Sequence, residues 1–217
     1  MLLEYKPPTT PYLDIVYQDE DILILNKPSG LLTVPGKAPE HKDSLEYRVR
    51  LVWPLARIVH RLDMATSGLV VMAMHAQSQR DLNKQFELRQ TKKRYVALLE
   101  GQVLVDYGVV DVPLLCDWPN RPKQMVHFGS GKPSLTYFRV LERNKHQTKV
   151  ELTPVTGRSH QLRVHMLWLG HPILGDKFYG TESGKGSVSR LQLHACVLQL
   201  RHPTSGTELY FEVACPF

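Results

Sequence analysis

The sequence predicts an α+β protein: one domain with a mixed, largely antiparallel central sheet flanked by helices and loops. Three observations lead to this class. About nine segments read as strands and about three as helices. The two kinds do not alternate in the strand-helix-strand order that a parallel sheet needs. The tail holds two long alternating runs, RLQLHACVLQLRHP and TELYFEV, which read as a hairpin closing the sheet. With 217 residues, 42% of them hydrophobic and 22% charged, the chain can bury a substantial core as a single domain over 1–217.

Residues 1–13 read as an irregular arm, because prolines at 7, 8 and 11 remove donors and forbid regular pairing. DIVYQDED and the alternating ILILN then predict a strand hairpin, broken by Lys27, Pro28, Ser29 and Gly30. Asp43 is an N-cap signal for a helix with Leu45, Val49, Val52 and Trp53 on one face and Arg48 and Arg50 on another, stopped by Pro54. The Val- and Leu-rich run after Gly68 is too short for a membrane span and predicts a buried strand. A second helix is predicted from about Gln77 to Arg89, with Leu82 and Phe86 toward the core and Arg80, Lys84 and Arg89 pointing elsewhere, toward solvent or phosphate. TKKRYVALLEGQV is a strand with a cationic entrance, and residues 109–140 mix strands with the loop CDWPNRPKQMVHF. After a strand at 148–154, Gly157 and Ser159 open a helix whose stripe is Leu162, Met166 and Leu169, closed by Gly170.

The 27 Lys and Arg against 21 Asp and Glu give a net charge of +6, which suggests a polyanionic partner. The opening has prolines where a secretory signal needs an apolar core, which argues against export and for the cytoplasm. Cys116, Cys196 and Cys215 are odd in number and share no C-x-x-C spacing, so neither a disulfide framework nor a zinc site is indicated. His160, His165 and His171 near Asp176 lack metal-ligand spacing, and GSGKPS lacks the first glycine of a phosphate loop. Neither a metal nor a cofactor is expected.

The stretch with most chemistry is IVHRLDMATSGLVVMAM at 58–74. It places His60, Arg61 and Asp63 on a polar loop at the mouth of the buried strand, a rigid mount for a group that must stay open to a cleft. Asp63 is therefore a candidate nucleophile or base, with a turn cap or a pairing with Arg61 as the plain alternative. Trp118, Arg121 and Lys123 on one loop make a pad for stacking and phosphate contact. A glycosidase would need a second facing acid, and Ser67 lacks the surround of a hydrolase nucleophile. What remains is one carboxylate acting on the sugar or base of a nucleic acid.

Four segments, NKPSGLLTVPG at 26–36, HRLDMATSGLVV at 60–71, KKRYVALLEG at 92–101 and GRSHQLRVHMLWLGHPILGD at 157–176, together resemble the RluA family of RNA pseudouridine synthases over nearly the whole chain. The resemblance implies that Asp63 is the essential carboxylate, that Tyr95 stacks on the uracil and handles a proton, that Arg163 pairs with Asp63, and that Arg61 fills the gap left by a flipped base. His60 is expected beside the substrate. The DWPNRPKQ loop resembles the branch that acts on both ribosomal and transfer RNA, which implies stem-loop substrates in the anticodon arm and in 23S rRNA. No membrane and no cofactor would be involved, and a monomer is the default. The extra N-terminal RNA-binding domain that some members carry has no room here. Two alternatives stay open: a catalytically idle RNA-binding protein or chaperone on the same fold, and a relative that modifies other ribosomal uridines.

Overall fold

The computed structural model describes residues 5–217, so the first four residues of the expected arm lie outside the described part. In chain order the elements are β1 (Ile15–Gln18), β2 (Ile22–Lys27), α1 (Leu45–Val52), β3 (Arg57–Ile58), β4 (Ser67–Ala73), α2 (Ala76–Glu87), β5 (Lys92–Glu100) and β6 (Tyr107–Asp111). They continue with β7 (Leu114–Cys116), β8 (Gln124–Val126), β9 (Leu135–Arg143), β10 (Gln147–Pro154), α3 (Gln161–Trp168), α4 (Glu182–Gly186), β11 (Leu193–Arg201) and β12 (Glu208–Glu212). The α+β class is as expected. The additional strands and helix are short pieces such as β3, β7, β8 and α4, whose two to five residues carry no readable periodicity.

The chain forms two compact units: one of residues up to Lys93 together with Ala195–Ala214, the other of Arg94–His194 together with the last three residues. In the first unit the strand order is β1-β2-β4-β11, with β3 beside β4 and β12 beside β11. The expected hairpins are both present, β1 with β2 and β11 with β12, each antiparallel. The β2/β4 register sets Ile22 opposite Ala73 and Ile24 opposite Val71, and this face packs on Leu82 and Phe86 of α2 and on Leu198 and Leu200. Leu23, Leu25, Val70 and Met72 on the opposite face are buried as well. The ILIL run is thus buried on both faces, and its sequence alternation of Ile and Leu separates two apolar layers instead of core from solvent.

β4 begins at a close approach. Gly68 has φ +112, and a Cβ there would lie 2.6 Å from the backbone nitrogen of Ala195. Gly68→Ala combines an unfavourable backbone region with overpacking against main chain that has no rotamer to change. We expect it to lower stability by roughly 3 kcal/mol or more, read as the midpoint of urea unfolding.

Helix α1 differs from expectation at its start and on its faces. Ser44 is the N-cap, its hydroxyl accepting from the Tyr47 amide, while Asp43 instead binds Arg48 through both carboxylate oxygens at 2.7 Å. Arg48 is consequently fully buried, with a third bond to the Tyr12 carbonyl and its guanidinium 4.5 Å from the Tyr12 ring, whereas Val52 is 57% exposed. The apolar stripe reads Arg48 as solvent-facing because it cannot see a partner five residues back that neutralises the charge.

In the second unit the order is β5-β10-β9-β6, all antiparallel, and β7 and β8 form a separate two-stranded ribbon. Helix α3 is buried from Gln161 through Met166 and therefore lacks a single apolar stripe. Neither Gly157 nor Ser159 caps it. His160 precedes the first turn in the left-handed region at φ 54, and the Gln161 side chain reaches back to accept from the Arg158 amide and the Thr156 hydroxyl. Its end is as predicted: Gly170, at φ +83, donates to Leu167, and His171 donates to Met166, the paired bonds of a Schellman stop.

Candidate active site

Asp63 lies half-buried on the loop between β3 and β4, beside an exposed Arg61. Residues 27–33 hold that loop by its backbone. The fully buried Lys27 donates from Nζ to the carbonyls of Pro28, Leu31 and Met64 at 2.9, 2.7 and 3.2 Å. Ser29 Oγ donates to the Ala65 carbonyl at 2.6 Å, and the Gly30 amide donates to Met64 at 2.8 Å. The Thr33 hydroxyl donates to the Leu62 carbonyl at 2.7 Å and accepts from the Leu62 amide at 3.2 Å. Both sides of Asp63 are thus tied to one segment, and the Thr66 amide closes a turn on the Asp63 carbonyl at 3.1 Å. Burying a lysine is costly unless its hydrogens are met, and here three backbone carbonyls meet them. The sequence reading treats Lys27 and Pro28 only as strand breakers and so misses this clamp.

His60, expected beside the substrate, has a structural task. Its Nε2 accepts from the Val71 amide at 3.1 Å, which requires that nitrogen to be unprotonated, and its ring stacks on Phe86 at 4.7 Å. Burial, with the Lys93 ammonium nearby, pushes its pKa down to about 3. The unfolded chain, with a value near 6.5, therefore takes up the proton first. The stabilisation is complete above about pH 6.5 and is lost as the pH falls toward 3. His60→Gln keeps an acceptor for Val71 and removes the titration, so unfolding free energy should fall less steeply between pH 6.5 and 4 than in the parent chain. An unchanged slope would show that His60 does not titrate in this way.

The second unit holds the other expected residues. Tyr95 is half-buried on β5, opposite Leu152 of β10. Arg163, on α3, is only 4% exposed, which rules out a role in gripping phosphates at the surface. Its Nε and one terminal nitrogen each donate to Asp176 at 2.7 Å in a fork-to-fork pair, and its guanidinium lies 5.2 Å from the Phe178 and Tyr179 rings. Asp176 Oδ1 also accepts the Phe178 and Tyr179 amides at 2.9 and 3.2 Å. The Tyr179 hydroxyl accepts from the Gln124 amide at 2.7 Å and shares a hydrogen bond with His160 Nδ1, also at 2.7 Å.

The bond from the Gln124 amide links the Arg163 cluster to β8 and hence to the tip of the β7-β8 ribbon. There Trp118 is 64% exposed with Arg121 stacked 4.5 Å above its ring, while Lys123 is half-buried and pairs its backbone with Asp117 and Asn120. The pad inferred from sequence is therefore assembled for Trp118 and Arg121, with Lys123 shaping the turn. Asp176 and Tyr179 are missed as site residues, although Gly175 at φ +74 just before Asp176 marks a constrained turn. Among the described residues no group of His, Cys, Asp or Glu is placed to hold a metal, and no helix is long and apolar enough to cross a membrane.

The first unit thus carries a tethered acidic loop, and the second a buried arginine cluster and an aromatic-cationic ribbon; comparison with known proteins gives the class. A family model described as RNA pseudouridylate synthase matches residues 21–168. Among solved structures, human RNA pseudouridylate synthase domain containing 1 superposes with a TM-score of 0.82 at 31% identity, covering 98% of this chain and 87% of that one. Human RNA pseudouridylate synthase domain containing 4 superposes with a TM-score of 0.76 at 26% identity, covering 94% and 88%. The dual-specificity RNA pseudouridine synthase RluA of Salmonella typhimurium is 52% identical over 214 residues, 98% of each chain, and that of Escherichia coli K12 is 51% identical over the same span. The chain belongs to the RluA family of RNA pseudouridine synthases.

Proposed function

We propose that the protein isomerises uridine to pseudouridine in the anticodon stem-loop of transfer RNA and in a similar stem-loop of 23S ribosomal RNA. The bond from uracil N1 to C1′ breaks, the base turns, and C5 joins C1′; C5 loses its hydrogen as a proton and N1 gains one, so no redox partner is needed. The observation that carries this reading is Asp63 on a loop whose backbone is clamped on both sides by Lys27, Ser29, Gly30 and Thr33. A catalytic carboxylate needs that kind of fixed geometry, and a binding surface does not.

In this reading Asp63 either attacks C1′ or removes the 2′ hydrogen, Tyr95 stacks on the uracil and handles a proton, and Arg163 is the cation that balances the carboxylate. The uridine must leave its stack to be reached, and the exposed Arg61 suits the vacated place because its plane both stacks and donates. Trp118 and Arg121 supply base stacking and charge at the ribbon tip. The chain is read as one catalytic domain, acting as a monomer in the cytoplasm. The test is tritium release from transcripts labelled at uracil C5, since forming the new bond expels that hydrogen. Release from both an anticodon stem-loop and a 23S rRNA stem-loop is the expected result. Release from only one narrows the substrate, and binding without release from either would make the chain an RNA binder.

A further inference from the structure

The outer side of α1 borders a cavity of about 480 Å3 lined by Pro35, Glu46, Tyr47, Arg50, Leu51 and Pro54. That is within the size of small-ligand pockets, roughly 300–1,000 Å3. The reaction as derived uses none of these residues. Tyr47 and Leu51, one helical turn apart, are 45% and 59% exposed. Arg50 and Glu46 meet only loosely, at 3.9 Å, with the Arg50 side chain more than half exposed. The cavity therefore offers an aromatic face, apolar walls, one carboxylate and one guanidinium.

We propose that this cavity receives an unpaired base of the substrate RNA close to the target uridine, with guanine preferred. The inference rests on the reading of the chain as an RNA-modifying enzyme. Tyr47 supplies the stacking face, and Pro35, Leu51 and Pro54 the walls. The Glu46 carboxylate accepts hydrogens in pairs, and the Watson–Crick edge of guanine is the base edge that presents an imino and an amino hydrogen side by side. Arg50 neutralises an adjoining phosphate. An apolar peptide would leave both charges unmatched, whereas a nucleotide has complements for each.

The position fits a neighbour of the target nucleotide. The Glu46 amide donates to the Thr33 carbonyl at 3.0 Å, and the Thr33 hydroxyl donates to the carbonyl of Leu62, the residue before Asp63. One residue thus braces the cavity's helix and the Asp63 loop together.

The experiment uses the full chain with stem-loop RNAs carrying C5-tritiated uridine, each with a single abasic site at a different loop position. Tyr47→Ala is expected to raise KM about tenfold, as loss of one stacked base does, with kcat within about twofold, while Tyr47→Phe stays close to the parent. One abasic position should weaken the parent by the same factor yet leave Tyr47→Ala unaffected, and Glu46→Gln should erase a preference for guanine there. Circular dichroism confirms that the variants fold. An unchanged KM in Tyr47→Ala, or a loss equal for every abasic RNA, would overturn the proposal while leaving the proposed function standing. If the parent binds RNA without tritium release, the proposed function fails and the same coupling in binding titrations decides the cavity's role. Absence of any RNA binding overturns both.

Discussion

Asp63→Asn is expected to reduce tritium release by roughly 10^4-fold or more, the scale on which loss of an essential catalytic side chain registers, while the fold and RNA affinity stay close to the parent. The change is isosteric, and the bonds that shape the loop from Lys27, Ser29, Gly30 and Thr33 fall on backbone atoms of Leu62, Met64 and Ala65. Substituting the side chain at 63 therefore leaves those tethers in place. The amide cannot act as nucleophile or base, so the chemical step is lost and binding is not. Single-turnover release with saturating protein separates the two effects. A residual rate within tenfold of the parent would remove Asp63 from the chemistry and favour the reading of an RNA-binding protein. A loss of affinity matching the loss of rate would instead make its role positional.

The parts of the fold legible in sequence are those fixed by local rules. The β1-β2 and β11-β12 hairpins follow from apolar runs bounded by turn residues, and the Gly170 stop follows from the need for a positive φ. The misreadings share a different cause, a side chain whose partner lies outside the local pattern. Asp43 carries the N-cap signature but is drawn to Arg48, leaving Ser44 to cap, and Gln161 caps from within its own helix where Gly157 and Ser159 were expected to open it.

The site divides along the same line. Asp63 and the Trp118–Arg121 pad are candidates from residue type and loop context, and Tyr95, Arg163 and Arg61 are candidates from the resemblance of four motifs. The residues that hold them could not be named from spacing. Lys27 lies 37 positions from Met64, and the Gln124 amide lies 55 positions from the Tyr179 hydroxyl. His60 shows the converse. A histidine next to a candidate acid invites a chemical role, yet its free nitrogen is occupied by a strand amide eleven residues on. Sequence proximity to the acid places the backbone and does not say which way the ring turns.

Asp176→Ala is expected to have the largest effect on stability, a loss of about 3–5 kcal/mol, because removing one partner of a buried pair strips the paired charge-assisted bonds from the other. Arg163 and Asp176 are 4% and 0% exposed in their side chains, so water cannot replace the lost carboxylate. The same substitution also orphans the Phe178 and Tyr179 amides, and Tyr179 is the residue that joins this cluster to Gln124 beside the ribbon tip. Urea unfolding measures the first effect, and tritium release well below the unfolding midpoint measures the second, which should fall even where the protein remains folded. The double substitution Arg163→Met with Asp176→Leu separates the two roles of the pair. Well-packed apolar residues often replace a buried ion pair without loss of stability, so the double variant should regain much of the stability lost by Asp176→Ala. It should not regain activity, because the cation proposed to balance Asp63 is gone. Recovery of both would mean that Arg163 serves only the fold, and Asp63 would then have to work without it.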